Sequence, residues 1–285
     1  MTPLVTAFER LVPLNRPIMV IALRGLFDIA EVATDAVEEL MSERAAPVVA
    51  SIDPDQFFDF TQERPLVEFD DAEERFVRWP ENEFRVVRHP GLAHDLVLLA
   101  GVEPHLRYAT FADCVVRVAR ELHCEAVVTL GAAAEPVPHT RPPAVVGSST
   151  NARLASALGL SRPQYQGVTG LVGVLQTRLD TEGIPAVSLR VAVPHYLGNA
   201  KHPQSSAALL RHLEHVLGLP TSSSELDSQA SSWRSVHDEA VDDDPKLADY
   251  VGRLERDYDR RIEALMPSAD DLAAEFERFL REQDE

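Results

Sequence analysis

Residues 17–41, PIMVIALRGLFDIAEVATDAVEELM, change hydrophobic period within a single unit. Pro17 to Leu23 is a short uninterrupted apolar run, the signature of a strand buried on both faces. Arg24-Gly25 breaks it. From Asp28 to Met41, Ile29, Val32, Ala36, Val37 and Leu40 recur at helical spacing. Asp28 lies near the helix start, where free amides favour a carboxylate. The unit therefore reads strand, Arg-Gly turn, helix.

The same alternation continues along the chain. PVVASI (47–52) is a second strand, stopped by Asp53-Pro54, because a residue before proline avoids the α conformation. Residues 55–80 mix aromatics and charges and read as hairpin pieces and loops. Strands are expected at 85–89, 94–100, 126–130 and 185–193, with a short apolar run at 144–147. Helices are expected at 110–122, 151–158, 171–180 and 203–217. Apolar strands alternating with amphipathic helices predict a three-layer α/β/α sandwich with a mostly parallel central sheet, over residues 1–219. Residues 220–235 are polar and read as a linker. Residues 236–285 read as an acidic helical extension of two helices split by Pro267, with stripes Leu247, Val251, Leu254, Tyr258, Ile262, Leu265 and Leu272, Phe276, Phe279, Leu280. These stripes either dock on the main domain or a partner subunit, or belong to a free tail.

Composition narrows the function classes. The 285 residues carry 46 acidic against 27 basic side chains, a formal charge of −19. Residues 221–285 hold 19 acidic against 8 basic, so the excess concentrates at the C-terminal end. Such a surface repels phosphate backbones and anionic lipid, so neither nucleic acid nor membrane is an expected partner. Cys114 and Cys124 are too few for a disulfide framework or a Cys-rich metal fold and read as core residues. The opening residues do not resemble a signal peptide and no apolar run reaches 18 residues, so a cytoplasmic location is expected.

Four loops hold the candidate chemistry, each following a strand or opening a helix. Arg24, Gly25 and Asp28 close the first unit, at the carboxyl end of a strand where parallel sheets form ligand crevices. The spacing is not a dinucleotide fingerprint and no Walker A run occurs. LGAAAEPVPHTRP (130–142) places Glu135, His139 and Arg141 in one loop, stiffened by Pro136, Pro138 and Pro142. It suits anion binding, acid–base work or a rigid connection. YQGVTGLVG (165–173) repeats Gly167, Gly170 and Gly173 around Thr169, suiting either an anion at a helix start or close helix–sheet packing. VPHYLGNAKHP (193–203) clusters His195, Tyr196, Asn199, Lys201 and His202. His139 and His195 sit in similar Pro-His contexts and are expected to meet in one crevice. No HExxH, paired-Cys or GxSxG motif occurs, so no metal, no cofactor and no nucleophile is assigned. The acidic pairs read as solvated surface, and Trp79 and Trp233 as possible interface anchors.

Taken in order, RGLFD (24–28), GVEPHLRYATF (101–111), LGAAAEPVPHTRP, YQGVTGLVGVL (165–175) and VPHYLGNAKHPQSSAALLRHLE (193–214) resemble the PAC2 family, the proteasome assembly chaperone 2-like proteins, in its actinobacterial form. The resemblance covers about residues 14–219. One block departs from it: GAAAEP stands where a GGLLAD-like run is usual. The resemblance implies an α/β/α fold similar to purine nucleoside phosphorylases and peptidyl hydrolases. It implies a non-catalytic assembly or interaction protein, a homo-oligomer or a proteasome-related partner, and it carries no catalytic residues over. The alternative is an enzyme or binder of a small anionic or nucleoside-like ligand, using Arg24, Asp28, His139, Arg141 and His195 above the sheet, with arginines holding the anion.

Overall fold

In the computed structural model, residues 4–7, 13–42, 44–198, 200–218, 220–221 and 223–265 are described. The elements run β1 (Val5–Ala7), β2 (Ile18–Arg24), α1 (Val32–Ser42), β3 (Val48–Ile52), β4 (Leu66–Phe69), β5 (Arg75–Arg78), β6 (Glu83–Val87) and β7 (Leu96–Val102). There follow α2 (Tyr108–Glu121), β8 (Ala126–Glu135), β9 (Val145–Ser148), α3 (Ala152–Ala157), α4 (Leu171–Thr181), β10 (Ala186–Pro194), α5 (Pro203–Leu217), α6 (Ser224–Asp242) and α7 (Pro245–Leu265).

Eight strands form one sheet in the order β1-β3-β6-β7-β2-β8-β10-β9. Its centre, β7-β2-β8-β10, is parallel, and β1, β3, β6 and β9 join antiparallel at the two sides. The sheet is therefore mixed around the parallel core that the apolar runs predict. Strand alternation splits the core in two. Met19, Ile21 and Leu23 pack towards α2 and α4, whereas Ile18, Val20 and Ala22 pack towards α1 and α5. That is the expected three-layer sandwich, because each central strand needs apolar cover on both faces. Within the described residues, no helix is long and apolar enough to cross a membrane.

Two expectations need correction. Residues 224–235, read as polar linker, are the first part of α6. Their polarity hides a one-residue-per-turn inward stripe of Leu226, Ala230 and Trp233, continued by His237 and Val241, with Leu226 and Val241 buried. Gln229 also donates to Glu225 one turn back at 3.0 Å, a pairing that supports helices. The second correction concerns β8, which runs past Gly131 to Glu135 in unbroken register with β10. Glycine at 131 permits this: a Cβ there would stand 3.0 Å from the Phe27 carbonyl oxygen, which accepts the Ala132 N–H at 2.7 Å. In the extension, Val251 and Leu254 of α7 are buried while Ile262 is exposed. The expected helix over 272–280 and its break at Pro267 lie outside the described residues.

Candidate functional site

Strands β8 and β10 end side by side, with Glu135 opposite Pro194, so both Pro-His loops leave the sheet together. Tyr196 stands between the two histidines, its ring centroid 5.8 Å from His139 and 5.7 Å from His195. The His139 backbone N–H donates to the Tyr196 hydroxyl oxygen at 2.9 Å, and that hydroxyl donates to His139 Nδ1 at 2.5 Å. His139 Nε2–H then donates to Asp238 of α6 at 3.1 Å. His195 Nδ1–H donates to the Glu135 carbonyl at 3.1 Å, leaving Nε2 to accept from the Tyr250 hydroxyl of α7 at 3.1 Å. These partners assign each tautomer.

A carboxylate–imidazole–hydroxyl chain has the form of a proton relay, but its histidine is closed off from solvent. Burial holds the His139 pKa below the usual histidine value and pushes the Tyr196 hydroxyl up to about 12. The free space beside His139, Arg141, His202 and Trp233 is about 10 Å³, barely one water and no substrate.

The rest of this loop continues the same clamp. Arg141 forms a two-pronged pair with Asp259 at 2.8 Å for each prong and reaches Glu255 at 3.1 Å. Its pKa is raised, chiefly by the bond to Asp259. Thr140 donates to Glu255, and the Tyr258 hydroxyl donates to the Pro142 carbonyl at 2.9 Å. Trp233 lies on His237 at 4.1 Å and near His202 at 5.0 Å. His139, Arg141 and His195 thus grip α6 and α7 and hold the C-terminal hairpin over the carboxyl ends of β8 and β10.

The other candidates fall elsewhere. Arg24 pairs with Glu63 and Glu31. Asp28 is buried and accepts from Ala33 N–H at 2.6 Å, Thr34 N–H at 3.2 Å and the Thr34 hydroxyl at 2.6 Å. Burial lifts its pKa to about 6 against those bonds. Its three acceptor bonds fix the entry to α1, where Ala30 and Glu31 both take positive φ, 55° and 60°, a conformation costing about 1–2 kcal/mol per residue.

Gly25 and Gly170 meet around a residue that composition and spacing do not single out. Glu103, inside the GVEP stretch, accepts from Leu26 N–H at 2.9 Å through one oxygen and from Leu171 N–H at 2.7 Å through the other. The anion at the start of α4 is therefore the chain's own carboxylate. A Cβ on Gly25 or Gly170 would lie 2.5 or 2.7 Å from that side chain. Thr169 lines a separate cavity of about 470 Å³ beside β8, β9 and β10, and Gly167 sits in the adjoining loop at φ 156° with Tyr165 against it. Lys201 pairs with Asp35 at 2.9 Å, and Asn199 lies outside the described residues. Among the described residues no group of three or more His, Cys, Asp or Glu is placed to hold a metal ion.

A sequence profile of the PAC2 family matches residues 22–241. The chain is similar to the crystal structure of a PAC2 family protein from Streptomyces avermitilis, at 38% identity and TM-score 0.78, over 82% of this chain and 99% of that one. It is similar to a proteasome-assembly chaperone homologue from Mycobacterium tuberculosis, at 36% identity and TM-score 0.74, over 82% and 99%. An archaeal proteasome activator from Pyrococcus furiosus shares the fold at 19% identity and TM-score 0.67, over 83% and 97%. No curated protein matches the chain. The matched span runs from the end of β2 through the clamped loops into α6, and with it the chain belongs to the PAC2 family.

Proposed function

We propose that this chain is a non-catalytic protein-interaction protein of the assembly-chaperone kind, acting in the cytoplasm on a proteasome-related protein partner. The β4–β5 ribbon carries the reading. Its register pairs Val67 with Val77 and Phe69 with Arg75 on one face, and Leu66 with Arg78 and Glu68 with Phe76 on the other. Leu66, Val67, Phe69, Phe76 and Val77 are all exposed, Phe69 by 68%. A two-stranded ribbon is marginal alone in water, and clustered exposed apolar side chains mark interaction surfaces. The relatives named for proteasome assembly and activation supply the kind of partner. The polar loops meanwhile spend their side chains on internal clamping, which supports a binding rather than a catalytic protein. The reading includes self-association as the resting state of the same ribbon.

Sedimentation velocity tests it, with the full chain alone and mixed with purified actinobacterial proteasome α- and β-subunits. The expected result is a faster-sedimenting complex that Phe69→Asp removes without lowering the melting temperature. A chain that stays monomeric and ignores every subunit overturns the reading.

A further inference from the structure

The sandwich is incompletely filled at one place. Along β10 the side chains facing α1 and α5 are Val187, Leu189, Val191 and Val193, all buried in that core. On the opposite face Ala186 is core, but Ser188 and Arg190 follow it. On β8 the same face presents Val127, then Thr129 and Gly131. Helix α4 reaches only part of this surface, with Val172 and Gly173 at its margin. Small and polar residues where a helix-covered sheet should carry branched apolar ones leave a hollow. That hollow is the cavity of about 470 Å³, within the range of small-molecule sites.

Its lining has a chemical bias. Phe27 and Tyr165 supply aromatic walls, and Arg162 and Arg190 supply positive charge. Among the described residues no acidic side chain lines it, in a chain with 46 acidic side chains and a charge of −19. Arg190 is shared with Glu135 at 3.3 Å. Arg162 has no hydrogen bond or ion pair among the described residues. Phe27 is fixed against β8, its carbonyl accepting the Ala132 N–H at 2.7 Å, so this aromatic wall stands beside a strand that lines the cavity.

We propose that this cavity is a binding site for a small aromatic anion, a flat apolar body between Phe27 and Tyr165 with one carboxylate or phosphate group at Arg162 and Arg190. The site goes beyond the protein-interaction reading and does not depend on it.

Calorimetric titration of the full chain tests it with three probes of one ring system: 2-naphthoate, 1-naphthyl phosphate and neutral 2-naphthamide. The expected result is saturable 1:1 binding of at least one anion, about 10-fold or more tighter than the amide. The tighter of the two anions identifies the acid group. Arg162→Gln or Arg190→Gln should erase the anion preference; Arg162 is exposed and unpaired among the described residues, so its loss leaves folding intact. Ser188→Leu should fill the hollow and weaken all three probes. Anions that fail to saturate, an amide that binds as tightly, or an anion preference that survives both arginine substitutions overturns the proposal.

Discussion

Lowering the pH from 7 to 4 should pull the stability of this protein in two opposite directions. His202 is buried, and the Nε2 atom of its ring has no hydrogen-bond partner. Burial, with His139 and His237 facing it, lowers its pKa from 6.5 to about 4. The unfolded chain then takes up the proton first, so stability is full above 6.5 and is lost as pH falls through 6.5 towards 4. At about 1.4 kcal/mol per pH unit, the loss is roughly 3 kcal/mol. Asp28 has the reverse sign. Burial raises its pKa from 3.8 to about 6, so its contribution is fully present below 3.8 and is lost as pH rises through 6. Acidification from 7 to 4 returns about 3 kcal/mol. In the parent protein the two nearly cancel, and single substitutions separate them. Urea unfolding of the parent, Asp28→Asn and His202→Gln at several pH values and one ionic strength is the assay. The stability of the parent minus that of Asp28→Asn should rise by about 3 kcal/mol between pH 7 and 4, and parent minus His202→Gln should fall by about as much. Parallel pH profiles for all three proteins would refute the burial argument at both sites.

Three further substitutions probe the scaffold. Arg141→Ala removes the two-pronged pair to Asp259 and should loosen the docking of the C-terminal hairpin by about 1–2 kcal/mol. Hydrogen exchange should accelerate in residues 245–265 but not in β2, β7 or β8, and Arg141→Lys should not restore it. Glu103→Ala strips the acceptors from Leu26 and Leu171 N–H and should cost about 2–4 kcal/mol in urea unfolding, with Glu103→Gln costing less because one acceptor survives. Gly131→Ala forces a Cβ against the Phe27 carbonyl and should cost about 1–3 kcal/mol by parting the Phe27–Asp28 segment from β8, read as a lowered urea midpoint.

The switch from a continuous apolar run to a 3.6-residue period at Arg24-Gly25 was enough to read β2 and α1, and the same contrast located β7, β8, β10 and α5. The start of α6 was not legible this way, since Leu226, Ala230 and Trp233 give only one inward residue per turn amid serines and acids. The reach of β8 past Gly131 depended on the Phe27 carbonyl, a partner more than 100 residues earlier. At the candidate site the residue types were visible and their partners were not. Asp238, Glu255 and Asp259 lie 99 to 118 residues from the loop side chains they hold, and in the sequence they blend into a uniformly acidic tail. Pro-His loops read as two halves of one crevice do meet at Tyr196, but what fills the crevice is the chain's own hairpin. Glu103 was visible only as one letter of a motif, because a carboxylate bridging two loop amides has no local spacing rule.

Hydrogen exchange of residues 66–69 and 75–78, measured in the full chain with and without saturating proteasome subunits, tests the central claim most directly. The ribbon's apolar residues are exposed in the single chain, so at concentrations where the chain is monomeric, binding through them should slow exchange across both strands and leave the clamp at His139 and Arg141 unchanged. A complex that forms while the ribbon exchanges as before, or protection confined to the clamp, would contradict it.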